Sequence, residues 1–286
     1  MDPMIPGKKM CAIFGFCDIR QFAVITEVLK SEVIVFVNTI AEIVHSCVDK
    51  FQGATNKNIG DAFLLVWKIP ESEICDCVNE QAEKTLSIKE NSRIVQNIAD
   101  LALASFLKVI ARIERSPELI AYRDHEGLNK ALPNYWVSMG FGLHVGWAIE
   151  GAIGSEYKID ASYLSPNVNM TSRLEAATRQ FGLKILVSDV IHRLFSKPVQ
   201  ELCRLVDIVT VKGSVKPMGL YTVDVELGEL KVRISKISKE VEMKRHFKEK
   251  KAMKKLVMIG EFDTQYVFKE DKDLSIITKN SRGPYR

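Results

Sequence analysis

Lys57-Asn58-Ile59-Gly60-Asp61-Ala62-Phe63 carries two strand patterns on either side of the dipeptide Gly60-Asp61. Ala54 to Ile59 and Ala62 to Trp67 are the flanking strands, and glycine supplies the positive φ that a tight hairpin requires. Upstream, Lys9 to Ile19 is dense in apolar and aromatic residues and reads as a buried strand ending at Asp18. A carboxylate at a strand end and another at a hairpin tip are placed to converge on a hard cation. Mg²⁺ needs only one or two protein carboxylates, with water and substrate phosphate filling the octahedron. On this spacing alone a purely structural turn role for Asp61 stays open.

Between these strands, Ser31 to Phe51 reads as a helix, with apolar residues from Val33 to Phe51 at three- and four-residue steps and Gly53 as a stop. From about Lys68 to Pro133 the pattern predicts a helical layer with an insertion. A polar region (Glu71 to Arg93) leads into an amphipathic helix through Leu101, Phe106 and Ile110. Strand signals resume at Trp136 to Val145 and at Trp147 to Ile153, separated by Gly146. A helix follows over Asn167 to Phe181 and stops at Gly182. After the short strand Lys184 to Val187, Ser188 caps a helix over Asp189 to Phe195. Two strands, about Cys203 to Val211 and Met218 to Val225, close the pattern. This order predicts an α+β fold, an antiparallel sheet with helices on one face. The expected organisation is a lead-in over 1–8, a catalytic domain over 9–227 with its insertion at about 68–135, and a basic helical and flexible extension over 228–286.

Composition sets outer bounds. The chain has 286 residues, 47% hydrophobic and 27% charged, as a globular protein with a real core requires. A net charge of +4 is too mild to argue for nucleic acid. Much of that excess lies between Lys244 and Lys255, either a solvated helical face or a contact with a membrane surface or partner. The longest apolar stretch, Ile98 to Ile113, is interrupted by Asp100, Lys108 and Arg112, so no membrane span is expected. Met1 to Gly7 lacks the pattern of a signal peptide. The six cysteines are scattered without metal-ligand spacing, so reduced thiols and a cytoplasmic setting are expected. His144, between glycines in an apolar strand, reads as a packed core histidine, and no Gly-Lys-Ser/Thr phosphate loop is present.

Phe14-Gly15-Phe16-Cys17-Asp18-Ile19 with Phe22, and Lys57 to Phe63, resemble the two metal-site motifs of class III adenylyl and guanylyl cyclases. Three further stretches resemble that family in its order: Gly142 to Gly146 with Gly151 to Gly154, then Asn167 to Arg173, then Val211-Lys212-Gly213 ahead of Gly219-Leu220-Tyr221. The resemblance implies the family's ferredoxin-like palm and a role for each matching residue. Asp18 and Asp61 match the metal aspartates, with the backbone carbonyl of Ile19 as an extra ligand to two Mg²⁺ (or Mn²⁺). Asn169 matches the residue that orients the ribose, and Arg173 the one that stabilises charge on the α-phosphate. Lys212 matches the lysine on the terminal phosphates. Lys57 and Ser162 match the two base-reading positions. Lysine offers only donors and cannot satisfy guanine's N–H groups, so the substrate implied is ATP, converted to 3′,5′-cyclic AMP and pyrophosphate. Ser162 is compatible with adenine without insisting on it, and a guanylyl cyclase is the alternative. A silent dimerisation module is a second alternative, although every metal and arginine position is filled. Leu164-Ser165-Pro166 departs from the family's glycine, and Pro166 just before a helix costs little. Because the chain holds both halves of the site, the resemblance implies a head-to-tail homodimer with shared sites. A further regulatory or membrane domain upstream is also expected.

Overall fold

Strand β1 (Lys8–Ile19) sorts the core by simple alternation. Cys11, Ile13, Cys17 and Ile19 join one apolar cluster, while Met10, Ala12 and Phe14 join another on the opposite side. The computed structural model describes residues 4–78, 84–89, 91–155, 157–210, 217–225, 227 and 239–278. After β1 come α1 (Phe22–Leu29), α2 (Val33–Lys50), β2 (Ala54–Ile59), β3 (Ala62–Lys68), β4 (Ile74–Val78), β5 (Lys84–Ile88), α3 (Arg93–Arg115), α4 (Pro117–Ile120) and α5 (Glu126–Ala131). The second half holds β6 (Met139–Ser155), β7 (Lys158–Leu164), α6 (Pro166–Phe181), β8 (Ile185–Ser188), α7 (Asp189–His192), α8 (Lys197–Leu202), β9 (Cys203–Val209) and β10 (Met218–Val223). Helices α9 (Lys239–Met258), α10 (Thr264–Glu270) and α11 (Lys272–Ile277) complete the described chain.

The main sheet runs β2-β3-β1-β6-β8-β10-β9, with β7 paired to β6. Its ladders are antiparallel apart from β6 against β8. The α+β class and the antiparallel-dominated sheet are as the sequence predicts. One detail differs: helices cover both faces. Phe106 of α3 packs on Phe141 of β6, ring centroids 4.9 Å apart. Gly142, one residue along β6 and so on the other face, lies directly beneath α6. A methyl group there would sit 2.3 Å from the Thr171 carbonyl oxygen and 2.6 Å from the Glu175 backbone nitrogen. Gly140 and Gly146 lie against Arg20 and Glu175 and against Asn167 in the same way. A strand apolar on one face and mostly glycine on the other, with His144 the exception, must be buried on both.

Gly142→Ala is therefore expected to destabilise the domain by about 3 kcal/mol, the upper end for overpacking, because the obstructing atoms are backbone. The midpoint of chemical denaturation measures this, and an unchanged midpoint would contradict the seating of α6.

Other expectations need correction. Gly146 does not divide two strands; β6 is continuous through it, and the glycine makes room for the Asn167 side chain. The polar stretch from Glu71 holds the hairpin β4–β5, whose short strands lack a helical period. The extension expected to be helical and then flexible over 228–286 is still folded between residues 261 and 278. Lys108 on α3 bonds both Asp271 (2.6 Å) and Asp273 (2.7 Å), Arg115 pairs with Asp273, and Thr264 donates to Asp100. Helix α3 is, against expectation, long and apolar enough to cross a membrane, yet 83% of its most apolar window is buried in the protein. Wrapping by the sheet, α2 and the C-terminal helices accounts for that apolarity.

Candidate active site

The β1–β3 ladder puts Asp18 opposite Ala62, and the Ile19 N–H donates to the Asp61 carbonyl at 3.2 Å. Gly60 takes φ +65° in the two-residue turn, which turns Asp61 back toward the end of β1. The two carboxyl groups meet closely enough to share a proton. Burial, then that shared hydrogen bond and the charges of Asp61 and Glu175, push the Asp18 carboxyl up to about 7, with Arg179 pulling it back. A divalent cation fits this pair, because it would replace the proton and cancel the repulsion between the acids. Among the described residues no set of three His, Cys, Asp or Glu side chains is arranged around a cation. Coordination here would rely on phosphate and water, as Mg²⁺ favours.

Helix α6 has two polar faces. Arg179 pairs with Asp18, Glu175 pairs with Arg20 at 2.8 Å, and Arg20 also donates to the Thr178 hydroxyl. Burial raises the Glu175 carboxyl and lowers the Arg20 guanidinium from their ordinary values. Asn169 and Arg173 are exposed. At about 100° per residue, Arg173 projects roughly 160° around the helix from Glu175. The residues that touch Asp18 and its neighbours thus come from one side of α6, and Asn169 and Arg173 point away from them. Pro166 is the first residue of the helix, one position before the expected start, and Ser165 caps it by accepting from the Asn167 N–H.

The strands that carry Lys57 and Ser162 are tied together one residue before each. Asn56 is an extra residue in β2, at the register shift between Thr55 and Lys57. Its side-chain amide crosses to the Ala161 carbonyl at 3.1 Å. That bond ties β2 to β7, so Lys57 and Ser162 each follow one of its partners. Asn169 borders an open hollow of about 420 Å³ with Trp147, Tyr163 and Ser165, at the root of the β6–β7 hairpin. Lys212 lies outside the described residues.

Residues 6–225 match the family described as "Adenylate and Guanylate cyclase catalytic domain". The chain belongs to the class III nucleotidyl cyclase family. It is 26% identical over 213 residues to an adenylate cyclase of Anabaena cylindrica, covering 73% of this chain and 36% of that protein. It is also 26% identical over 228 residues to the terminal-differentiation specific adenylate cyclase of Dictyostelium discoideum, covering 78% of this chain and 9% of that one. The chain thus spans well under half the length of these relatives. A bacterial light-regulated adenylyl cyclase has a similar fold, with a TM-score of 0.58 and 21% identity over 87% of this chain and 60% of that one.

In this cyclase domain the core reading of His144 holds. Its ring bonds the Ser188 hydroxyl at 2.7 Å and the Asn167 side-chain oxygen at 3.2 Å, and it is 4% exposed. The Asn167 oxygen accepts from Nε2–H, which leaves Nδ1 to accept from Ser188. Burial lowers the pKa to about 4, against a weaker upward pull from Asn167. Between about pH 6.5 and pH 4 the unfolded chain takes up a proton that the folded one refuses. Stability is therefore full above that window and falls with pH inside it, by about 1.4 kcal/mol per unit. Denaturation at pH 6.5 and pH 5 is expected to differ by about 2 kcal/mol more for the wild type than for His144→Gln. Equal pH slopes would contradict it.

Sequence reasoning missed the Arg20, Glu175, Thr178 and Arg179 cluster. Its signal was available: Glu175 and Arg179 stand four apart on a helix, and Arg20 follows directly on Asp18-Ile19.

Proposed function

We propose that this cyclase domain is an adenylate cyclase that acts as a head-to-tail homodimer on ATP. The observation that carries the reading is the division of labour on α6. Arg179 pairs with Asp18 and Glu175 lies beside that pair, on one side of α6, while Asn169 and Arg173 leave the helix on another side; in the proposed dimer a second chain completes the site that those two face. Asp18, Asp61 and the Ile19 carbonyl are the groups that would hold two Mg²⁺ or Mn²⁺ ions. Such ions, when bound, lower the pKa of the ribose 3′-hydroxyl and neutralise the triphosphate.

The chain's own residues do the rest. The exposed Asn169 orients the ribose so that its 3′-oxygen faces the α-phosphorus in line with the departing pyrophosphate. Arg173, one helical turn on, presents a planar fork of donors to the charge that gathers on the α-phosphate. Lys212 neutralises the β- and γ-phosphates. The bond from the 3′-oxygen to phosphorus forms as the bond to pyrophosphate breaks, and the 3′-proton leaves to solvent. Lys57 donates to the adenine ring nitrogen, and Ser162 can donate or accept.

Because Ser162 alone would also admit guanine, a guanylate cyclase is the second reading. Product analysis of purified protein with Mg²⁺ or Mn²⁺ and either nucleotide separates them. Cyclic AMP from ATP is expected; cyclic GMP alone, or no cyclic product, would overturn the proposal. Action in the cytoplasm as part of a longer signalling protein belongs to the same proposal.

A further inference from the structure

Helix α3 begins beside a cavity of about 210 Å³ that holds none of the cyclase motif residues. Its walls come from three separate stretches: Arg93 and Asn97 in the first turns of α3, Ser196 and Lys197 where α8 begins, and Asp263 and Thr264 where α10 begins. A single buried carboxylate braces them. Asp100, three residues on from Asn97, accepts from the Ser196 N–H at 3.0 Å and from the Thr264 hydroxyl at 2.5 Å. Asn97 is 3% exposed, and among the described residues its Nδ2 has no hydrogen-bond partner. A buried amide left in that state is costly, and an acceptor seated in the cavity removes the cost.

The other uncommitted groups on these walls are also donors. Arg93 and Lys197 stand exposed at the rim. Among the described residues Arg93 enters no ion pair, and Lys197 reaches only Gln200, at 3.5 Å. The acidic side chain on the wall, Asp263, has its Oδ1 engaged by the Gln265 N–H at 3.0 Å. The N-terminal turn of the 23-residue α3 adds potential of the same sign as the two cations.

We propose that this cavity binds a phosphate-type oxyanion, either free phosphate or the phosphoryl group of a small molecule. Asn97 donates from the floor, while the Arg93 fork and the Lys197 ammonium donate from the rim. Because the walls belong to α3, α8 and α10, the bound anion fastens the C-terminal helices to the cyclase domain. The inference rests neither on the choice of nucleotide nor on the dimer.

Isothermal titration of the full chain with inorganic phosphate, against chloride at equal ionic strength, tests it. Glycerol 3-phosphate is the second arm: tighter binding than phosphate assigns a phosphorylated small molecule, and equal binding assigns free phosphate. Arg93→Gln and Lys197→Gln are each expected to weaken binding about tenfold, the loss of one hydrogen bond to a charged group. Asn97→Leu is expected to weaken it about as much. Its denaturation midpoint in phosphate-free buffer should be no lower than that of the wild type, since an amide without a partner adds nothing to the empty protein. Cyclase activity in the same buffer stays unchanged in all three variants and reports intact folding. No binding at millimolar phosphate would overturn the proposal, as would binding that ignores both Arg93→Gln and Lys197→Gln. Binding that survives Asn97→Leu would reduce the site to attraction by two surface cations and equally overturn it. Binding lost in Arg173→Ala but kept in these three variants would place the anion in the cyclase site instead.

Discussion

Asp61→Ala and Arg173→Ala are each expected to lower turnover by about 10²–10³-fold, the usual cost of removing one preorganised charge stabiliser. An equimolar mixture of the two is expected to regain about a quarter of wild-type activity, since random pairing makes half the dimers mixed and each mixed dimer has one intact site of two. The physical basis is the geometry of α6. Arg173 leaves the helix roughly 160° from Glu175, and Glu175 lies within the charge cluster around Asp18. One chain therefore cannot present both groups to the same phosphate from this arrangement. Activity of the mixture no higher than the sum of the two mutants, with mixed dimers verified by sedimentation, would contradict a shared site.

The second large effect concerns the base. Lys57→Glu is expected to lower cyclic AMP formation by about 10²-fold or more, because adenine's ring nitrogen would face a group that only accepts. GTP turnover should rise in the same variant, and further when Ser162→Cys is added. The bridge from Asn56 to Ala161 lets the two positions act together, since it anchors the strands that carry them. Steady-state kinetics with both nucleotides read the result. A loss of ATP turnover with no gain for GTP, in a protein of unchanged denaturation midpoint, would place the purine away from Lys57.

The parts of this fold that the sequence revealed are those with strong local periodicity or turn chemistry. The alternation of β1, the Gly60-Asp61 turn and the α2 and α6 periods were each written in a dozen or so neighbouring residues, and each appears within about two residues of its expected limits. What stayed hidden depends on contacts distant in the chain. Gly146 looks like a strand break until Asn167 is seen to need its space. The tail after Glu261 looks irregular because its order comes from Lys108, Arg115 and Asp100, more than 150 positions away. The α3 helix looks too interrupted by charge to be wholly buried; Ser196 and Thr264 make Asp100 tolerable inside, and Asp271 and Asp273 do the same for Lys108. At the site, the motif residues were legible one by one. The ion pairs of Asp18 with Arg179 and Arg20 with Glu175 were legible only in part: the four-residue step from Glu175 to Arg179 was there to read, but their partners stand more than 150 positions away.

A crystal structure with Mn²⁺ and a non-cyclisable ATP analogue, using manganese's anomalous signal, tests the shared site most directly. Manganese is expected between Asp18 and Asp61 of one protomer, with the purine against the partner subunit's Lys57 and the α-phosphate against the partner subunit's Arg173. Manganese away from that acid pair, or a nucleotide held entirely within one chain, would contradict it.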